Sequence, residues 1–175
     1  MASSGTAAAR ADTASAAADG GQYLTFVLGR ETFAIAILGI REIIGYTPPT
    51  EVPLMPPQVR GVINLRGAVM PVVDLAARLG RTMAPVTKRT CIVIAELGMN
   101  GERQMLGMVV DAVTEVLEVS AEDIEPPPSF GGAVRTDFIE GIAKVDGHFV
   151  VILNTERMLS VDELAALHVE RSSDG

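Results

Sequence analysis

The sequence predicts a mainly β protein built from two small, similar barrels, and three observations carry that prediction. From Gln22 onward the apolar residues fall into short runs, "YLTFVL", "FAIAIL", "AVMPVVDL", "CIVIAEL", "MLGMVV" and "FVVIL", each of strand length and rich in Val, Ile and Leu. Gly, Asn, Asp and Pro punctuate the runs, and these residues supply the backbone conformations that turns need. The chain also repeats itself. "FAIAILGIREII" (33–44) aligns without gaps on "LGMVVDAVTEVL" (106–117), and "RGVINLRGAVMPVVDLAARL" (60–79) aligns on "EGIAKVDGHFVVILNTERML" (140–159). Ile40 then meets Val113, Glu42 meets Glu115 and Ile43 meets Val116, while Gly61 meets Gly141, Gly67 meets Gly147 and Asp74 meets Asn154. Proline-containing segments, "TPPTEVPLMPP" and "EDIEPPPSF", separate the aligned blocks in both halves. Glycines and caps in register twice answer the same backbone demands twice, which points to duplication of one small β unit.

Taken in order, residues 1–21 are Ala, Ser, Thr, Gly and Asp with almost no large apolar side chains. They offer too little to bury against the entropy of ordering them, so a disordered tail is expected there. The first barrel half is expected over 22–86 and the second over 87–159, with "GRE" and "MNGER" as hairpin turns. Each half has about five strands in roughly 65 to 75 residues, which is marginal alone, so the two should share a packed interface. Asp74 and Asn154 each end an apolar run and precede "LAARLG" and "TERML", where a side-chain oxygen would cap a short helix. A C-terminal helix is expected over 160–168: Ser160 and Glu163 form a capping box, with Val161, Leu164 and Leu167 on one face to dock on a barrel. Residues 169–175 read as a flexible tail.

Composition excludes several functions. The 175 residues are 48% apolar, enough for a core, and carry a net charge of −8 with a pI near 4.7. An acidic chain with few aromatic residues repels a phosphate backbone and lacks stacking platforms, so no nucleic acid is expected as ligand. The N-terminus has no apolar signal core, and "FAIAILGI" is far too short to span a bilayer, so neither secretion nor direct membrane insertion is expected. Cys91 lies in the apolar run "TCIVIAEL", reads as a small buried hydrophobe, and has no second cysteine to pair with, which favours a reducing cytosol.

Catalytic material is thin. His148 falls in an expected hairpin turn and His168 near the end of the last helix, and both read as solvated polar residues. No metal-ligand pair has useful spacing, Cys91 has no activating neighbour, and "GMNG" and "FGGAVR" are too weak to cradle a phosphate. The acids of "EDIE" and "VDE" read as caps and solvated faces. No enzyme, no metal and no cofactor is expected. What remains is a set of contact surfaces. In "GIREII", Ile40 and Glu42 lie two apart and on a strand would share a face, as a contact patch or as a core aliphatic beside an ordinary solvated acid. Arg66, in "NLRGAVMPVVDL", sits beside a glycine at a tight turn that would hold its guanidinium outward, with Glu42 as a possible ion-pair partner. Gly61 and Gly67 read as turn residues, and Asp74 as a cap more than a contact.

"GVINLRGAVMPVVDL", preceded by "FAIAILGIREIIGY" and followed by "GMVVDAVTEVLEV" and "DFIEGIAKVDGHFVVILNTERML", resembles the CheW family of bacterial chemotaxis coupling proteins over residues 22–168. The resemblance implies two intertwined five-stranded barrels of Src-homology-3-like topology. It implies a chemotaxis adaptor, working without catalysis, that joins the cytoplasmic tips of methyl-accepting chemoreceptors to the regulatory domain of the histidine kinase CheA. Such a protein is cytoplasmic and recruited to membrane-associated receptor arrays. By motif, Glu42 and Arg66 correspond to residues needed for coupling, with Gly61 and Gly67 holding the Arg-bearing turn. Ile40, Val109 and Val110 correspond to part of a groove between barrels where an apolar receptor helix tip would lie. The alternative within the family is an adaptor of a non-flagellar chemosensory system serving pili, surface motility or development. The Ala-rich N-terminal tail departs from the compact family pattern and is assigned no role.

Overall fold

The computed structural model describes residues 20–82, 84–99, 102–127 and 138–159. The expected N-terminal tail up to residue 19, the C-terminal helix over 160–168, the tail 169–175 and residues 100–101 of the second hairpin turn lie outside these. In the first half the strands are β1 (Gly20–Leu28), β2 (Glu31–Ala36), β3 (Ile40–Gly45), β4 (Val59–Leu65) and β5 (Ala68–Asp74), followed by the one-turn helix α1 (Leu75–Arg78). The second half has β6 (Cys91–Met99), β7 (Glu102–Val110), β8 (Ala112–Ser120), a 3-10 turn (Ala121–Asp123), β9 (Ile124–Glu125), β10 (Ile139–Val145), β11 (His148–Leu153) and the one-turn helix α2 (Thr155–Met158). Gly20 and Gly21 pair with β8, so two residues of the expected tail belong to a strand.

These strands form two sheets, and neither sheet coincides with a half of the sequence. One runs β8-β1-β2-β11-β10-β9 and the other β3-β6-β7-β5-β4. Each half therefore lends its opening hairpin, β1-β2 or β6-β7, to the barrel built from the later strands of the other half. The ranges 22–86 and 87–159 are units of sequence repetition, whereas each barrel is assembled from both, which is the physical content of "intertwined". Two short crossings carry the chain between sheets. At the first, the Glu96 amide bonds to the Gly39 carbonyl at 2.7 Å; at the second, Asp111 takes the Gly29 amide on Oδ2 at 2.7 Å.

Closure is achieved the same way twice. From edge strand β8 the chain turns through the 3-10 segment and becomes β9 on the opposite edge, pairing with β10. From edge strand β3 it runs to Thr50, which exchanges backbone hydrogen bonds of 2.8 and 2.9 Å with Val62 on the opposite edge strand β4. Register shifts also recur at aligned positions: between Ile40 and Glu42 and opposite Thr114, then between Val59 and Gly61 and between Ile139 and Gly141. Bulges at matching places bend both barrels alike.

Gly61 shows why that bend needs glycine. It lies within β4 with φ +147°, and a Cβ there would stand 2.2 Å from the Thr50 carbonyl oxygen. Its role is close approach of two backbones, which corrects the expected turn. Gly67 does serve a turn: Arg66 at φ +52° and Gly67 at φ +87° link β4 to β5, and Asp146 and Gly147, at φ +50° and +79°, link β10 to β11. Two consecutive left-handed residues match the twist of a tight hairpin.

Three apolar cores result. A central core joins the sheets through Phe26 and Ile35 of one, Val93 and Met108 of the other, and Leu75 and Met158 of the two helices. Each barrel adds an inner core, Ala143, Val150 and Ile152 in one and Ile63, Met70 and Val72 in the other, at aligned positions. Full burial of one such aliphatic or aromatic side chain contributes about 1.5–3 kcal/mol, so the shared central core ties the barrels into one body. Cys91 is half-buried at the start of β6 with its thiol toward the Arg89 carbonyl at 3.1 Å, rather than fully buried. The Asp74 carboxylate accepts from the Ala77 amide at 3.1 Å and lies 3.6 Å from the Arg60 guanidinium; Asn154 accepts from the Arg157 amide at 2.9 Å. Both helix starts are thus capped from the end of the preceding strand. Among the described residues, no helix is long and apolar enough to cross a membrane.

Candidate functional site

In the five-stranded barrel, closed by Thr50 against Val62, the β4–β5 turn reaches Glu42 on the opposite edge strand β3. Arg66 sits in the left-handed conformation at that turn, and the Asn64 side chain pins it by accepting the Gly67 amide at 2.9 Å. The Arg66 guanidinium bonds to Glu42 Oε1, with the arginine side chain 68% exposed and the glutamate 32%. An ion pair this exposed adds only about 0–1 kcal/mol to stability. Its consequence is positional: Glu42 fixes the guanidinium while leaving it further N–H donors for another molecule.

Ile43 of β3 and Val69 of β5 are exposed apolar side chains, at 41% and 65%, Ile43 on the face of β3 opposite Glu42. Sequence reasoning passed over both, although Ile43 adjoins Glu42 and Val69 follows the Arg-Gly turn by two residues. Arg41 lies at the bulge and reaches Glu96 at 3.4 Å. That bulge interrupts the simple alternation expected between Ile40 and Glu42. Ile40 is half-buried and packs against the central core, so it supports the patch from beneath more than it faces outward.

Val109 and Val110 do not form an open groove. They are 2% and 1% exposed, Val109 within the inner core of its barrel and Val110 within the central core. The run "GMVV" is buried on both faces of β7, so direct contact of these two valines with a partner is corrected to a structural role. Gly61 and Asp74 likewise act through the backbone of β4 and the cap of α1.

The other barrel presents the aligned face with different chemistry. Glu115 stands where Glu42 does and Asp146 where Arg66 does, and both line an open cleft of about 1120 Å³ with Phe33, Arg81, Phe149 and Val151. Val116 and Phe149, aligned with Ile43 and Val69, are 47% and 65% exposed. Arg81 is paired with Glu31 and lies over the Phe33 ring, while Arg78 lies over Phe138 and bonds to the Met158 carbonyl.

For reaction chemistry, among the described residues no three or more His, Cys, Asp and Glu gather where they could hold a metal ion. One carboxyl is unusual: Glu140, at the β10 bulge, has a pKa pushed up to about 7 by burial and then by the Glu156 carboxylate. It lies half-buried in β10, near Glu156 of α2. His148, expected in a hairpin turn, opens β11 directly after that turn and is exposed.

Comparison with known proteins meets this geometry. Residues 22–163 match the family model described as the CheW-like domain. The chain is 38% identical over 145 residues to "Probable chemotaxis protein CheW" of Rhizobium etli, covering 83% of this chain and 91% of that one. It is 36% identical over 147 residues to "Chemotaxis protein CheW" of Rhizobium meliloti, covering 84% and 92%. The crystal structure of the scaffolding protein TtCheW from Thermoanaerobacter tengcongensis superposes with a TM-score of 0.71 at 33% identity, covering 82% of this chain and 90% of that one. With a mainly β, two-barrel architecture and matches spanning most of its length, the chain belongs to the CheW-like family.

Proposed function

We propose that this protein is a chemotaxis adaptor that couples chemoreceptors to the histidine kinase CheA and carries out no reaction itself. The partners are the cytoplasmic tips of methyl-accepting receptors and the regulatory domain of the kinase, and the place of action is the cytoplasmic face of receptor arrays. The single observation that supports it best is the Glu42–Arg66 pair, which holds an exposed guanidinium at a tight turn. An arginine held in place and left exposed has the character of an interface anchor. An adaptor acts by holding kinase and receptor in one geometry, so that a receptor change shifts the kinase between active and inactive populations.

The test is a reconstitution of kinase, receptor fragments and this protein, following kinase autophosphorylation. Wild type raises the rate strongly, and Arg66→Ala, folded by circular dichroism, loses most of that activation. No activation by wild type with its cognate partners rejects the coupling function; full activation by the variant removes Arg66 from the interface. The non-flagellar alternative shares the same domain, and repeating the assay with kinases and receptors from each candidate system distinguishes it.

A further inference from the structure

The cleft of about 1120 Å³ on the six-stranded barrel opens beside the point where the chain leaves α2. Leu159, the last described residue, follows Met158, whose carbonyl accepts from the cleft-lining Arg78. From that end the lining follows β11 backwards. Arg81 lies over the Phe33 ring, and Phe33 is the register partner of the half-buried Val151. Phe149, two residues back along the strand, is left 65% exposed, and Asp146 in the β10–β11 turn closes the far end. The five residue steps between Leu153 and His148 span about 17 Å at the rise of a strand.

The sequence over 160–168, outside the described residues, matches this surface in length, apolar pattern and charge. As a helix it would measure about 14 Å. The capping box of Ser160 and Glu163 marks its start, and Val161, Leu164 and Leu167 share one face. Asp162 and Glu163 fall in its first turn and His168 at its end.

We propose that residues 160–168 fold back into this cleft as an amphipathic helix and close it, running along β11 from the Leu153 end to the Asp146 turn. The apolar face lies on Val151 and Phe149, as a helix fills an apolar groove. The acids of the first turn meet Arg78 and Arg81 near the point where the chain enters. Arg81 already holds Glu31 at the surface and keeps further N–H donors for a second carboxylate. At the other end the His168 imidazole reaches Asp146 as a hydrogen-bond donor. Because the segment is tethered at Leu159, it meets the cleft at high effective concentration, and weak contacts are enough to hold it. The closed chain covers this barrel end and leaves the Glu42–Arg66 end open. Any partner for the cleft has to displace the segment. The contact needs neither kinase nor receptor, so its failure would leave the coupling assay unaffected.

The chain contains no tryptophan, so Phe149→Trp in the full-length protein places a single indole in the cleft. Its fluorescence, with iodide as quencher, reads whether the cleft is covered. The expected result is quenching several-fold weaker than that of N-acetyltryptophanamide, rising towards that reference when Leu164→Asp and Leu167→Asp are added. An indole quenched as freely as the reference overturns the proposal, and so does one that the two aspartates leave unchanged. A cysteine pair tests the direction: His148→Cys with His168→Cys, in a Cys91→Ser background, is exposed to glutathione disulfide. An intramolecular disulfide is expected to close many-fold faster than in the same chain carrying the two aspartates. Equal rates in the two chains, or no intramolecular disulfide, would show that the segment does not lie along β11.

Discussion

The two barrel ends share a backbone and differ in charge, and the difference separates what the fold requires from what the surface is free to change. Gly61 and Gly141, Gly67 and Gly147, and the caps Asp74 and Asn154 are repeated because bulge, turn and helix start recur. At the turn, exposed positions diverge, Arg66 becoming Asp146 and Val69 becoming Phe149, and at the bulge Arg60 becomes the half-buried Glu140. A duplicated unit can thus present two unlike faces on one scaffold.

The comparison predicts unequal costs for changing equivalent glycines, and this is where the largest effect is expected. A methyl at Gly61 would meet the Thr50 carbonyl oxygen at 2.2 Å and the carbonyl carbon behind it at 2.7 Å, both fixed backbone. Gly61→Ala should cost about 3 kcal/mol or more, in the range reserved for named steric failures. At Gly141 the nearest atom is the Ile124 Cγ2 at 2.6 Å, a side chain that can turn aside. Gly141→Ala should cost less than Gly61→Ala. At Gly67 nothing lies within 4 Å, and only the φ of +87° resists a side chain. Gly67→Ala should cost about 1 kcal/mol. Urea unfolding of the three variants gives the order directly, and an equal cost at Gly61 and Gly67 would refute the close-approach role.

The second contrast lies at the bulges. In one half Arg60 stands near the Asp74 cap; in the other Glu140 is half-buried near Glu156 with its pKa raised from 4.5 to about 7. Between those values the folded protein binds more of this proton than the unfolded chain does, so stability falls as pH rises through the window. The favourable contribution is fully present below pH 4.5 and is lost by the time pH passes about 7. Glu140→Gln keeps the neutral form at every pH. It should flatten this slope and leave the variant more stable than wild type near pH 8, as thermal melts at a series of pH values would record. An unchanged slope would show that the Glu140 carboxyl is solvated.

These contrasts also show what was legible in the sequence. The repeat was legible because glycines and caps are fixed by local backbone geometry, and so was the Arg66 turn. The exchange of hairpins between halves was carried by the resemblance, which implies intertwined barrels, and not by the strand pattern, because the period of a strand tells which face is apolar and nothing about which strand lies beside it. Gly61 was read as a turn residue since a glycine does not disclose whether it supplies a positive φ or room for a neighbouring carbonyl. Val109 and Val110 were assigned to a partner groove by motif, although an unbroken apolar run at the end of a strand already signals burial on both faces. The alternation of "GIREII" concealed the bulge at Arg41, and of its two readings for Ile40 the structure favours the core aliphatic.

The smallest expected effect on stability falls at the residues with the largest expected effect on function. Glu42 and Arg66 pair on the surface, at 32% and 68% side-chain exposure, where screening by water and salt leaves about 0–1 kcal/mol. Glu42→Ala and Arg66→Ala should therefore each shift the urea midpoint little, and the double variant should cost no more than about the sum of the two. Kinase activation should behave differently. If Glu42 serves to aim the guanidinium, Glu42→Ala leaves the arginine present but loose, so activation falls part of the way while Arg66→Ala removes it further. In the double variant the loss should match Arg66→Ala alone, because a positioning residue has no work left once its arginine is gone. An additive loss of activation would instead mean that Glu42 touches the partner in its own right.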